Sequence, residues 1–118
     1  MSDAYDLFRE GQERLRNGMT AQATVPLERA KRLEPEKASI REALGIAYFR
    51  LARWQDAERE FRTIVEELSP TDHYAHYALG RALERQGKAA EANGHYKLAS
   101  SMNPGSETYS SRILDLDA

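Results

Sequence analysis

Apolar residues in this chain recur three and four positions apart, in stretches separated by short breaks that carry glycine or proline. The clearest stretch sets Ile40, Ala43, Leu44, Ala47, Tyr48 and Leu51 on one side of a helix, at about 100° per residue. Comparable stripes predict helices over residues 3–17, 20–33, 37–51, 54–68, 72–86 and 89–102. The breaks have their own logic. Gly18 and Gly87 suit left-handed C-caps, and Pro35, Pro70 and Pro104 push the residue before each out of the helical region. A last, shorter helix is predicted within residues 106–118, with Ser106 as N-cap and Tyr109, Ile113 and Leu116 as its apolar stripe. Pro26 conflicts with its surroundings. It lacks an N–H and crowds the carbonyl of Gln22, so a kink or a later start is expected in the second helix.

The stripes repeat. Gly11, Gly45 and Gly80 stand 34 and 35 residues apart. Twelve residues after each comes a small residue, Ala23, Ala57 or Ala92; sixteen after each comes a large one, Leu27, Phe61 or Tyr96; a proline then follows. The second unit is one residue longer, so Pro70 arrives late. A period of this length marks a solenoid of stacked helix pairs. The expected fold is all-α, a single domain with repeats at about 4–37, 38–72 and 73–105 and a C-terminal cap at 106–118. Ala52 stands where the other units have Gly18 and Gly87, so it is expected in a left-handed turn.

These positions resemble the tetratricopeptide repeat signature W-x2-L-G-x2-Y, A-x3-F and P. The second unit carries Leu44-Gly45 and Tyr48, then Ala57, Phe61 and Pro70; the third carries Leu79-Gly80 and Leu83, then Ala92, Tyr96 and Pro104. The first is weaker, with Arg14 where Tyr is usual. A later small residue appears as Ala30 and Ala99, but as Ile64 in the second unit. The chain is also similar to short, free-standing three-repeat members of this family from bacteria. The resemblance implies a right-handed α-solenoid of three helix-turn-helix pairs plus a capping helix, whose concave face receives an extended or helical peptide. Chaperone-binding members hold a terminal Asp with two Lys, two Asn and one Arg. The matching positions here are Phe8, Gln12, Ala43, Tyr74 and Ala78. None agrees, so that specificity does not carry over, and a more apolar ligand is implied.

Each first helix of a pair carries surplus apolar groups on a second face. Ile46 and Phe49 lie opposite the core stripe of the third helix; Tyr74, Tyr77 and Arg81 are offset in the fifth; Tyr5, Phe8 and Gln12 are offset in the first. An ordinary amphipathic helix would be polar there. Two readings compete: the aromatics pack against neighbouring helices, or they line a binding groove, where Tyr and Arg are the usual hot spots. Arg16, Arg50 and Arg85 share one repeat position. They suit a rail for a carboxylate, or equally the cationic end of each helix macrodipole. The candidate groove is Tyr5, Phe8, Gln12, Ile46, Phe49, Arg50, Tyr74, Tyr77, Arg81 and Arg85.

Composition narrows the chemistry. The 118 residues carry a net charge of −2 with 31% charged residues of both signs, which is not the basic footprint of a nucleic-acid binder. Cysteine is absent, excluding disulfides and thiolate metal sites. Residues 1–6 are acidic and lack the apolar region of a secretory signal, and no apolar run reaches a membrane span. A cytoplasmic protein is expected. His73 and His76 are three apart, with Asp72 beside them and His95 on another helix. They read as a helix-start residue and a partly buried core histidine rather than metal ligands. Ser100-Ser101 and Ser110-Ser111 read as a helix end and a capping segment, and Glu66-Glu67 as solvated surface. No phosphate loop, nucleophile elbow or acid/base pair occurs. The expected protein is a non-catalytic adaptor for a protein or peptide, without cofactor or metal; the alternative is self-association through the same face.

Overall fold

The computed structural model describes residues 3–113. The chain forms α1 (Ala4–Arg16), α2 (Thr20–Leu33), α3 (Ala38–Arg50), α4 (Trp54–Thr63), a π-helical turn (Ile64–Leu68), α5 (His73–Arg85), α6 (Ala89–Met102) and α7 (Glu107–Ser110). Helices pack in sequential pairs, and each pair stacks on the next, giving an elongated body of 55 × 24 × 22 Å. This is the all-α solenoid that the pattern predicts.

The repeat residues form a lock within each pair. A Cβ added at Gly11 would lie 2.4 Å from Leu27, one at Gly45 2.6 Å from Phe61, and one at Gly80 2.5 Å from Tyr96. The glycine therefore admits the large residue of its own partner helix, and Leu27, Phe61 and Tyr96 are fully buried. Burial of such a side chain contributes about 1.5–3 kcal/mol. Ala23, Ala57 and Ala92 are also fully buried, where a longer side chain would hold the helices apart.

The turns repeat too. Met19, Arg53 and Lys88 donate backbone N–H groups to the carbonyls of Arg14, Tyr48 and Leu83 at 2.8, 2.9 and 3.0 Å. These are Schellman closures, and each needs a left-handed residue. Gly18 and Gly87 supply it at φ +77° and +80°, and Ala52 adopts it at φ +60°. Between repeats, Lys37, Asp72 and Ser106 donate to the carbonyls of Glu34, Ser69 and Asn103, so each proline lies inside a tight turn. Asp72 and Ser106 then cap the next helix through their side chains.

Of the two outcomes expected at Pro26, a kink or a later start, the later start does not occur: the second helix runs from Thr20 through a buried Pro26 to Leu33. The carbonyl of Gln22, deprived of its helical donor, accepts instead from Arg14 Nη1 at 3.0 Å. The predicted helix 54–68 is α-helical only to Thr63 and then widens, with Ser69 N–H donating to Ile64 O. That widening absorbs the extra residue of the second unit. Among the described residues the cap holds one helical turn, with Tyr109 buried and Ile113 packed on the core; Leu116 lies outside the described residues.

Candidate functional site

The three leading helices, α1, α3 and α5, present three linked depressions on one face. The first, a cavity of about 190 Å³, is lined by Ile46, Phe49, Arg50, Phe61, Tyr74, Tyr77, Ala78 and Arg81. The second, about 290 Å³, shares Ile46 and Arg50 and extends over Phe8, Gln12, Leu15, Arg16, Ser39, Glu42 and Ala43. The third, about 150 Å³, shares Phe8 and Ser39 and reaches Ala4, Tyr5, Glu34, Lys37 and Ile40. Shared linings make one groove across the repeats.

Nine of the ten candidate residues line it. Arg85 does not: its guanidinium lies over Trp54 at 5.3 Å and Phe49 at 5.9 Å, at the rim of the first cavity. Tyr5 is 63% exposed and belongs to the smallest depression. Phe8, Ile46, Phe49, Tyr74 and Tyr77 are half-buried and pack on the core with their inner edges. The two sequence readings of these aromatics are therefore compatible.

The floor of the first cavity is an aromatic run. Phe61 meets Tyr74 edge-on at 6.4 Å, Tyr74 lies 6.2 Å from Tyr77, and Tyr77 lies 5.1 Å from Tyr109. Such contacts fix the rings. Arg81 sits 5.1 Å over Phe49 and donates to Tyr77 Oη at 3.2 Å. Burial pushes the Tyr74 phenol above its ordinary pKa, helped by nearby Glu42. Burial likewise raises the Glu42 carboxyl, with Asp72 adding repulsion. Sequence reasoning missed Trp54, Leu15, Ser39 and Glu42. Trp54 follows the Ala52 turn and packs edge-on against Phe49 at 4.8 Å, a contact that no helical spacing reveals.

His73 is the first residue of α5 and His76 is buried, as the sequence reading expects. His73 Nδ1 pairs with Tyr109 Oη at 2.8 Å. His76, which is buried, places Nε2 2.8 Å from the Pro70 carbonyl and Nδ1 3.0 Å from His95 Nδ1. No group of three or more metal-ligating side chains assembles among the described residues.

The family model of the tetratricopeptide repeat matches residues 8–73 and 42–107. This chain belongs to the tetratricopeptide repeat (TPR) family. Solved TPR structures superpose closely. The first TPR domain of Spaghetti (RPAP3), solved with the HSP90 peptide SRMEEVD, has a TM-score of 0.89 at 21% identity, over 94% of this chain and 87% of that one. MamA gives 0.89 at 23%, over 93% and 64%. YrrB, described as a TPR protein with an unusual peptide-binding site, gives 0.88 at 17%, over 94% and 57%. This chain thus spans less than two thirds of MamA and YrrB, and at these identities the likeness concerns the fold. No curated protein matches the chain. The five TPR positions that chaperone-binding relatives use, here Phe8, Gln12, Ala43, Tyr74 and Ala78, all line the groove. None is a lysine, asparagine or arginine. No helix among the described residues is long and apolar enough to cross a membrane.

Proposed function

We propose that this TPR chain is a non-catalytic adaptor, cytoplasmic in location, that binds a segment of a partner protein along the groove of α1, α3 and α5. The observation that carries the reading is the groove's lining: half-buried aromatics with exposed edges, interleaved with arginines. A continuous apolar surface of this kind is what monomers ordinarily cover or use. One structural neighbour is described with a bound peptide and another by its peptide-binding site, which supports an interaction module. The groove is short, so an affinity near micromolar is expected, about −8 kcal/mol.

Tyr77 lies between the first cavity and the cap, touching Tyr74, Tyr96 and Tyr109. Partners captured by immobilised wild type are expected to be lost on a Phe49→Glu, Tyr77→Ala variant of equal helicity. Once a partner is in hand, Tyr77→Ala alone should weaken its binding by roughly 1–3 kcal/mol in calorimetry. Equal capture by both proteins would move the binding surface elsewhere. A dimer in sedimentation that dissociates on Phe49→Glu would instead assign this face to self-association.

A further inference from the structure

The groove's charge is unevenly distributed, and this points to the chemistry of its occupant. The first cavity has arginines at its edge and no carboxylate in its lining. Arg81 makes one neutral hydrogen bond, to Tyr77, and rests on Phe49; Arg85 rests on Trp54 and Phe49. Among the described residues, neither these two nor Arg50 pairs with a carboxylate. Arg62, on α4, behaves in the opposite way and holds Glu58, Glu66 and Glu91 together. The whole chain is net acidic at −2, so a cluster of three uncompensated guanidinium groups is a local feature and not a reflection of composition.

We propose that the first cavity selects a partner segment in which a large apolar side chain is flanked by aspartate or glutamate. The apolar side chain fills the cavity of about 190 Å³, room for one such group, against Ile46, Phe49, Phe61 and Tyr74. The flanking carboxylates meet the open forks of Arg50, Arg81 and Arg85, which suit bidentate pairing. Cationic segments are disfavoured for a stated reason: the ring faces that would bind a cation already carry Arg81 and Arg85. The second cavity contrasts with the first. There a carboxylate, Glu42, joins Arg16 and Arg50 in the lining. The acidic flank accordingly lies over α5, where the lining holds arginines and no carboxylate.

This inference rests on the groove reading above, and one experiment separates the two. Fluorescein-labelled octapeptides alternating Leu with Asp, Leu with Ser and Leu with Lys are titrated against the full chain by anisotropy, at about 50 and about 300 mM NaCl, concentrations that bracket a Debye length near 10 Å. The Leu-Asp peptide is expected to bind at least about tenfold more tightly than Leu-Ser, with the difference shrinking at high salt. Arg50→Gln, Arg81→Gln should bring the Leu-Asp affinity down to the wild-type Leu-Ser value, with helicity retained in circular dichroism. Equal binding of Leu-Asp and Leu-Ser, both lost on Phe49→Glu, overturns the charge selectivity and leaves the groove reading intact. A preference for Leu-Lys overturns the selectivity as well. Binding by none of the three, or binding unaffected by Phe49→Glu, overturns both.

Discussion

At the scale of single residues, Ala52 is the one place among the described residues where side chain and backbone disagree. It holds φ +60° in a turn that the other repeats build with glycine. A left-handed alanine costs about 1–2 kcal/mol, and a glycine loses about 0.5–1 kcal/mol more chain entropy on folding. Ala52 is exposed, so no packing is lost by its removal. Ala52→Gly should therefore leave stability unchanged or raise it by up to about 1 kcal/mol, read as a higher midpoint in thermal denaturation. A clear fall would mean that the turn differs from the one described. Pro26 shows the reverse situation, a residue that breaks a local rule and is compensated. Its missing donor is replaced by Arg14 from the preceding helix, so the defect becomes a tie between α1 and α2.

At the scale of elements, equivalent places in successive repeats hold different chemistry. Arg41 lies four residues before Gly45. It donates to the Pro35 carbonyl at 2.7 Å and to Glu60 of α4 at 3.1 Å. His76 lies four residues before Gly80 and makes the same two contacts, to the Pro70 carbonyl and to His95 of α6. A carbonyl only accepts, so His76 Nε2 carries a proton; in the neutral pair its Nδ1 accepts, and His95 Nδ1 donates. Burial, the neighbouring His76 and Arg62 hold the His95 pKa below its ordinary value of 6.5, against the opposing charges of Glu91 and Glu66. The folded state therefore binds fewer protons than the unfolded state. Its contribution is present above about pH 6.5 and is lost as pH falls through the lower folded value. Urea midpoints should fall from pH 8 to pH 5 in the wild type. The swap His76→Arg, His95→Glu, which copies the second repeat, should flatten that dependence; an unaltered pH profile in the swap would assign the loss to other groups. The helix pairs, the glycine locks and the left-handed turns were legible from spacing, because each is a local pattern repeated three times. The histidine pair was not. His76 and His95 are nineteen residues apart, and helical spacing pointed to His73 instead. The groove aromatics were legible as a surplus face, whereas Trp54 and Glu42 joined the site only through packing between helices.

At the scale of the whole molecule, each helix packs mainly on its sequence neighbours, as in other solenoids, where stability is a sum of local units and their interfaces. The central pair has a neighbour on both sides, and its α4 carries the buried Glu60 bound to Lys31 and Arg41. Amide exchange should consequently be slowest in α3 and α4 and fastest in α1, with the α5–α6 pair between them; equal rates throughout would show a single cooperative unit. The π-helical turn bears on how such chains are compared. Counted forward from the glycines, Leu33 corresponds to Glu67; counted back from the prolines, it corresponds to Leu68. The wide turn at Ile64–Leu68 decides for the second count. An alignment that puts its gap in the loop before α5, where insertions usually fall, would pair a solvent-facing glutamate with an apolar end residue. The gap belongs inside a helix, and a phase error introduced there is cancelled before the next repeat begins.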